Sequence, residues 1–124
     1  MSNKRKLTNN VHASREANKI LTSNNNAKFK ISLERKLEKR YSFKDLEKRE
    51  MKEFNSFIES TVGNDLTFQQ VHELFGTKRD NNDKVDGMDI IHYRVNNKYR
   101  IHGYLRDSYF VLCRIDPNHN VHNK

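Results

Sequence analysis

The stretch MDIIHYRVNNKYRIHGYLRDSYFVLCRIDP, residues 88–117, decides the fold. β-branched and aromatic residues fill three runs, 88–95, 98–105 and 109–115, which Asn96-Asn97 and Arg106-Asp107-Ser108 separate. That composition predicts strands, and the tolerance of asparagine for positive φ favours a two-residue hairpin loop at 96–97. The expected product is a three-stranded antiparallel meander. Pro117 ends its last strand, because proline has no N–H for the ladder and restricts Asp116 before it.

Period-two alternation divides the middle strand into two faces. Tyr99, Ile101, Gly103 and Leu105 share the face expected to meet a core; Lys98, Arg100, His102 and Tyr104 share a hydrophilic, cationic face. With a loop at Asn96-Asn97, Tyr93 lies opposite Arg100 and Ile91 opposite His102. With a loop at Arg106-Asp107, Tyr109 pairs with Tyr104 and Cys113 with Arg100. Gly103 marks a gap in the inner face, where another element approaches closely or the strand bulges.

Upstream of the meander the pattern is helical. Ser42 and Asp45 form an N-terminal signal, and Phe43, Leu46, Met51, Phe54, Phe57, Ile58 and Val62 fall on one stripe at 100° per residue, ending at Gly63. Thr67 and Gln70 make a capping box ahead of Val71, Leu74 and Phe75, so a second helix spans 68–75 with Gly76 after it. FKISLERKLEKR, 29–40, alternates first as FKISL and then turns charged, so a short strand and a helix are both open. TKRDNNDKVDG, 77–87, reads as a loop, and it lacks the closing glutamate of a calcium loop. The expected class is α+β: two or three N-terminal helices packed on a three- to four-stranded antiparallel sheet, with a disordered basic arm. The division is 1–27 arm, 28–117 domain and 118–124 tail.

The chain has 124 residues and a formal net charge of +8. Residues 1–40 hold 11 Lys and Arg against 3 Asp and Glu, so the excess lies in the first third. Residues 90–124 form a smaller basic region, with 6 against 2. Such an excess fits a polyanionic partner, RNA before DNA, and Lys4, Arg5, Lys6, Arg94 and Lys98 are the expected phosphate contacts. No run is long and apolar enough for a membrane span, and no apolar leader follows the first basic residues, so a soluble cytoplasmic protein is expected. The one cysteine, Cys113, reads as a buried structural thiol.

Arg100, His102 and Tyr104 are either the solvated side of a half-exposed sheet or a phosphate-facing site. As a site, they suit phosphodiester chemistry: imidazole exchanges protons near neutrality, guanidinium braces phosphate, and a phenol stacks on a base or donates a hydrogen bond. Attack by a ribose 2′-hydroxyl needs no metal, and no metal or other cofactor is expected. Tyr99-Arg100-Ile101-His102-Gly103-Tyr104, the run Tyr109–Ile115 and His119 resemble the RelE/ParE superfamily of small bacterial toxins. That resemblance covers about the last third of the chain. It implies metal-independent cleavage of mRNA and neutralisation by an antitoxin protein, with Arg100 and Arg114 on the phosphate, His119 as general acid or base, and His102 and Tyr104 as secondary candidates. The long arm, the 77–87 insertion and Val121 depart from the family pattern. Two other readings stand beside it: a non-catalytic nucleic-acid-binding protein of a phage or mobile element, and an inhibitor or adaptor that occupies another protein's nucleic-acid site.

Overall fold

A computed structural model describes residues 26–77 and 83–121. Along them run β1 (Ile31–Ser32), a 3-10 turn (Phe43–Asp45), α1 (Lys48–Thr61), α2 (Phe68–Phe75), β2 (Lys84–Val85), β3 (Met88–Asp89), β4 (Ile91–Arg94), β5 (Arg100–Arg106) and β6 (Tyr109–Asp116). The architecture is α+β, with two helices, a four-stranded sheet in the order β1-β6-β5-β4, and a separate two-stranded sheet of β2 and β3. Of the expected arm at 1–27, residues 1–25 lie outside the described residues, and Ala27 packs against the core with its carbonyl accepting from Phe68 N–H.

The expected all-antiparallel sheet is corrected at one edge. β4, β5 and β6 form the antiparallel meander, but β1 joins β6 in parallel, with Ile31 opposite Phe110 and Ser32 opposite Val111. Alternation in FKISL is too short to reveal a partner about eighty residues away, and the parallel hand is set by the path of the chain. The rest of the β6 edge is closed by the backbone of 38–41: Glu38 N–H donates to Cys113 O and Ile115 N–H donates to Tyr41 O.

Both expected helices form. The stripe from Phe43 to Val62 is broken, however, because Leu46 and Glu47 are extended between the 3-10 turn and α1. Glu47 starts α1, its own N–H bonded to the Glu50 carboxylate at 2.9 Å. The α2 box is as the sequence predicts: Gln70 N–H donates to Thr67 Oγ1, and Thr67 N–H to the Gln70 side chain. Aromatic rings from both helices meet the sheet around Phe29, which lies edge-on to Phe57, Phe68 and Tyr93. Phe29, Phe54, Phe57, Phe68, Val71, Tyr93, Ile101, Phe110, Leu112 and Ile115 form the main core.

Part of the stretch expected to be loop is strand. Asp86 and Gly87 both take positive φ, 55° and 78°, which is the backbone of a tight primed hairpin turn, and β2 pairs with β3 across it. Ile90, fully buried, then separates β3 from β4 and divides the first expected strand in two.

Registers in the meander also differ from those expected. Val95 N–H donates to Tyr99 O, so the loop is Asn96-Asn97-Lys98, and Arg94, not Tyr93, faces Arg100. The alternation itself requires this: Tyr93 is fully buried in the main core, and an opposing Arg100 would share that core face. At the next turn Arg106 faces Tyr109 across Asp107-Ser108, with Asp107 at φ 58°. The register then jumps between His102 and Gly103, leaving Cys113 as an extra residue on β6. This bulge puts Cys113 and Arg114, consecutive in sequence, on the same side of the sheet. Gly103 stands beside it because a Cβ there would lie 2.3 Å from Val111 O and 2.6 Å from the Phe110 ring.

Candidate functional site

The face of β5 that carries His102 and Tyr104 is covered, not solvated. Val85, Ile90, Tyr104, Val111 and Cys113 form a second, smaller core with Met88 packed against it, so the β2–β3 hairpin lies over this side of the sheet. His102 is fully buried, and Tyr104 and Arg114 are 5% and 7% exposed. Alternation identified which side chains share the face; it carried no information on what lies over them.

Arg114 is the centre of that side. Its Nη1 and Nη2 donate to the two carboxylate oxygens of Asp83 at 3.0 Å each, and its Nε pairs with Glu38 at 3.0 Å. Burial alone would lower the pKa of this guanidinium, and the bonds to Asp83 and Glu38 together more than reverse that, so it stays charged. Nη1 also lies 3.1 Å from His102 Nδ1. Because guanidinium only donates, Nδ1 must accept there, which fixes His102 as the neutral tautomer protonated on Nε2. His92, directly opposite His102 in the ladder, stacks on it with ring centroids 4.3 Å apart and reaches Asp83 at 3.3 Å. Beside this network the Tyr104 hydroxyl donates to Asp86, which also pairs with Arg35 at 2.9 Å. Burial, then the Asp86 bond, raises the Tyr104 pKa.

Asp83, His92 and His102 place one ligand-type atom each within 4.8 Å of one another. One feature opposes a metal there: both oxygens of Asp83 already accept from Arg114. The cation that this cluster holds is Arg114.

Arg94, Lys98, Arg100 and His119 lie elsewhere, at the end of the sheet where β4 turns into β5 and β6 ends. Arg94 and Arg100 are cross-strand partners, and neither enters an ion pair among the described residues. Arg94 is exposed and Arg100 half-buried. Burial, then the charge of Arg94, pulls the Arg100 pKa below its ordinary value, against the opposing pull of Asp116. Arg100 Nη1 donates to the carbonyls of Asn96 and Asn97 at 3.2 and 3.0 Å and so braces the loop that carries Lys98. Across the ladder from Arg100, the buried Asp116 carboxylate accepts from the N–H groups of Asn120 and Val121, both at 2.9 Å. This turns residues 117–121 back around His119, which sits half-buried at φ 56°.

The ten candidate residues therefore fall into three groups. His102, Tyr104 and Arg114 are in the covered network; Arg94, Lys98, Arg100 and His119 are at the open end; Lys4, Arg5 and Lys6 lie outside the described residues. Sequence reasoning missed Glu38, Asp83 and His92. His92 could have been found from the three-residue loop, which puts it on the face of His102. No family model, curated protein or solved structure matches the chain. No helix among the described residues is long and apolar enough to cross a membrane.

Proposed function

We propose that the protein binds RNA, and that its phosphate contacts are Arg94, Lys98 and Arg100 at the open end of the sheet. The carrying observation is the Arg94–Arg100 pair. Like charges directly opposite each other in a ladder are unfavourable, and these two have no carboxylate within ion-pair distance among the described residues. A phosphate between them removes that repulsion and takes the bidentate contacts that guanidinium offers. The basic first third of the chain supplies further, non-specific attraction.

The test is fluorescence anisotropy with a labelled single-stranded RNA across a salt series, and a DNA of the same sequence as a second arm. Binding to RNA that weakens steeply with salt, and weakens further in Arg94→Ala, is the expected result. Salt-independent binding, or an unchanged Arg94→Ala, refutes the proposal; preference for the DNA refutes the choice of RNA.

His119 favours a second reading, that of a RelE-like metal-independent endoribonuclease with an antitoxin partner. It follows the turn that Asp116 pins, at the same end of the sheet as Arg100, and imidazole is the side chain most often used as a general acid or base. On this reading His119→Ala binds RNA normally and cleaves none. If purified wild-type protein leaves both free and ribosome-bound mRNA intact, the reading fails.

A further inference from the structure

A cleft of about 430 Å³ opens between the start of α1, which contributes Arg49, Glu50 and Glu53, and the two turns at the end of the sheet, which contribute Asn96-Asn97-Lys98 and Pro117-Asn118. Its volume falls in the lower part of the ~300–1,000 Å³ range of small-ligand sites and suits a single nucleotide. The cleft shares Lys98 with the basic end of the sheet, and Arg100 holds the carbonyls of Asn96 and Asn97, which also line it. Its walls are tied together by Tyr99, 1% exposed, whose hydroxyl donates to Glu50 O at 2.9 Å from the residue before β5 across to α1.

The two carboxylates in this cleft are not equivalent. Glu50 is buried and its Oε1 accepts the Glu47 N–H that begins α1. Glu53, one turn further on and half-buried, enters no ion pair among the described residues. An ionised carboxylate only accepts hydrogen bonds, through two parallel oxygens. Among the four RNA bases, guanine alone presents two adjacent donors, N1–H and the N2 amino group, on its Watson–Crick edge. Adenine and cytosine place a ring acceptor beside their single amino group, and uracil places acceptors on both sides of its N–H. The carboxamides of Asn96 and Asn118 can donate to the guanine O6 and N7, and Lys98 and Arg49 suit the attached phosphate.

We propose that this cleft reads a guanine base in single-stranded RNA, with Glu53 accepting from N1–H and N2–H; the proposal rests on the RNA-binding reading. An extruded base recognised on its Watson–Crick edge is the usual way in which single-stranded RNA is read.

The experiment measures the full chain binding oligouridine that carries one central guanine, adenine, cytosine or inosine at fixed salt. Guanine should bind roughly tenfold more tightly than adenine or cytosine, the discrimination of one bidentate contact, with inosine between because it lacks the N2 amino group. Glu53→Gln should erase the guanine preference while retaining affinity for oligouridine and an unchanged circular dichroism spectrum. Equal binding of all four oligonucleotides, or a guanine preference that survives Glu53→Gln, overturns this proposal alone. Absence of binding to any RNA at low salt overturns the RNA-binding reading and this one with it.

Discussion

Arg100 and Arg114 lie on neighbouring strands and on the same side of the sheet, yet their surroundings are opposite. Arg114 faces His102, is almost fully buried, and has Asp83 and Glu38 against its guanidinium. Arg100 is half-buried, has Arg94 beside it, and spends one nitrogen on loop carbonyls. In the first case the protein supplies its own counter-charges and the cation is structural. In the second Asp116 pulls from across the ladder without forming an ion pair, and this is the basis for proposing an external anion at the open end. Residue type alone does not separate the two, since both are arginines among aromatic and aliphatic strand residues.

The largest expected effect comes from breaking the internally neutralised arginine. Arg114→Met leaves Asp83 and Glu38 without their cation in a covered site, and should cost about 3–5 kcal/mol in urea unfolding. A loss under about 1 kcal/mol would mean that the network is peripheral to stability. Gly103→Ala should follow, at roughly 1–3 kcal/mol, because the added methyl collides with Val111 O and the Phe110 ring beside the bulge that aims Arg114. A shift in the urea midpoint with an unchanged slope is the diagnostic outcome.

At the open end the order of effects reverses. Arg94→Ala should leave stability within about 0.5 kcal/mol, as an exposed substitution that also relieves a like-charge pair. The same variant should reduce the salt slope of single-stranded RNA binding by about 0.7. If it destabilises the fold and leaves RNA binding unchanged, the contrast between the two arginines is lost.

The smallest effect concerns Cys113, the residue that the bulge inserts. Burial pushes its thiol up to about 11, so iodoacetamide should not modify it in the native protein at pH 8, while urea-unfolded protein should react. The unfolded chain releases this proton first, so stability should fall as the pH rises through about 9 towards 11. Rapid alkylation of the native state would show that the covered side opens readily.

What the sequence revealed follows the range of each signal. Thr67, Gln70 and Gly76 delimit α2 because a capping box is local, and the phenylalanine stripe locates α1 because its period is 3.6. The split between the inner residues Ile101 and Leu105 and the outer residues His102 and Tyr104 was equally legible. Leucine at 112, arginine at 114 and isoleucine at 115 also held a readable sign of the bulge, since strict alternation would have sent Arg114 into the phenylalanine core. The partners of Arg114 were beyond reach. Glu38 and Asp83 come from segments with no periodicity of their own, and only the folded chain path brings them together. The candidate site was thus half visible: its residue types stood out, but the division into a covered network and an open end depends on the β2–β3 hairpin, which looked like loop.

The parallel pairing of β1 with β6 also bears on how the chain reaches this state. Ile31 leaves the ribosome early, and its partner Phe110 is made about eighty residues later, so this edge is among the most non-local contacts in the molecule and should close late. Phe29, which is buried against both helices, β4 and β6, waits with it. During synthesis the helices can form before their aromatic stripe has a sheet to meet. For that interval the nascent protein displays the phenylalanines that the finished one conceals, and a truncated product ending before β6 should be a substrate for chaperones and proteases.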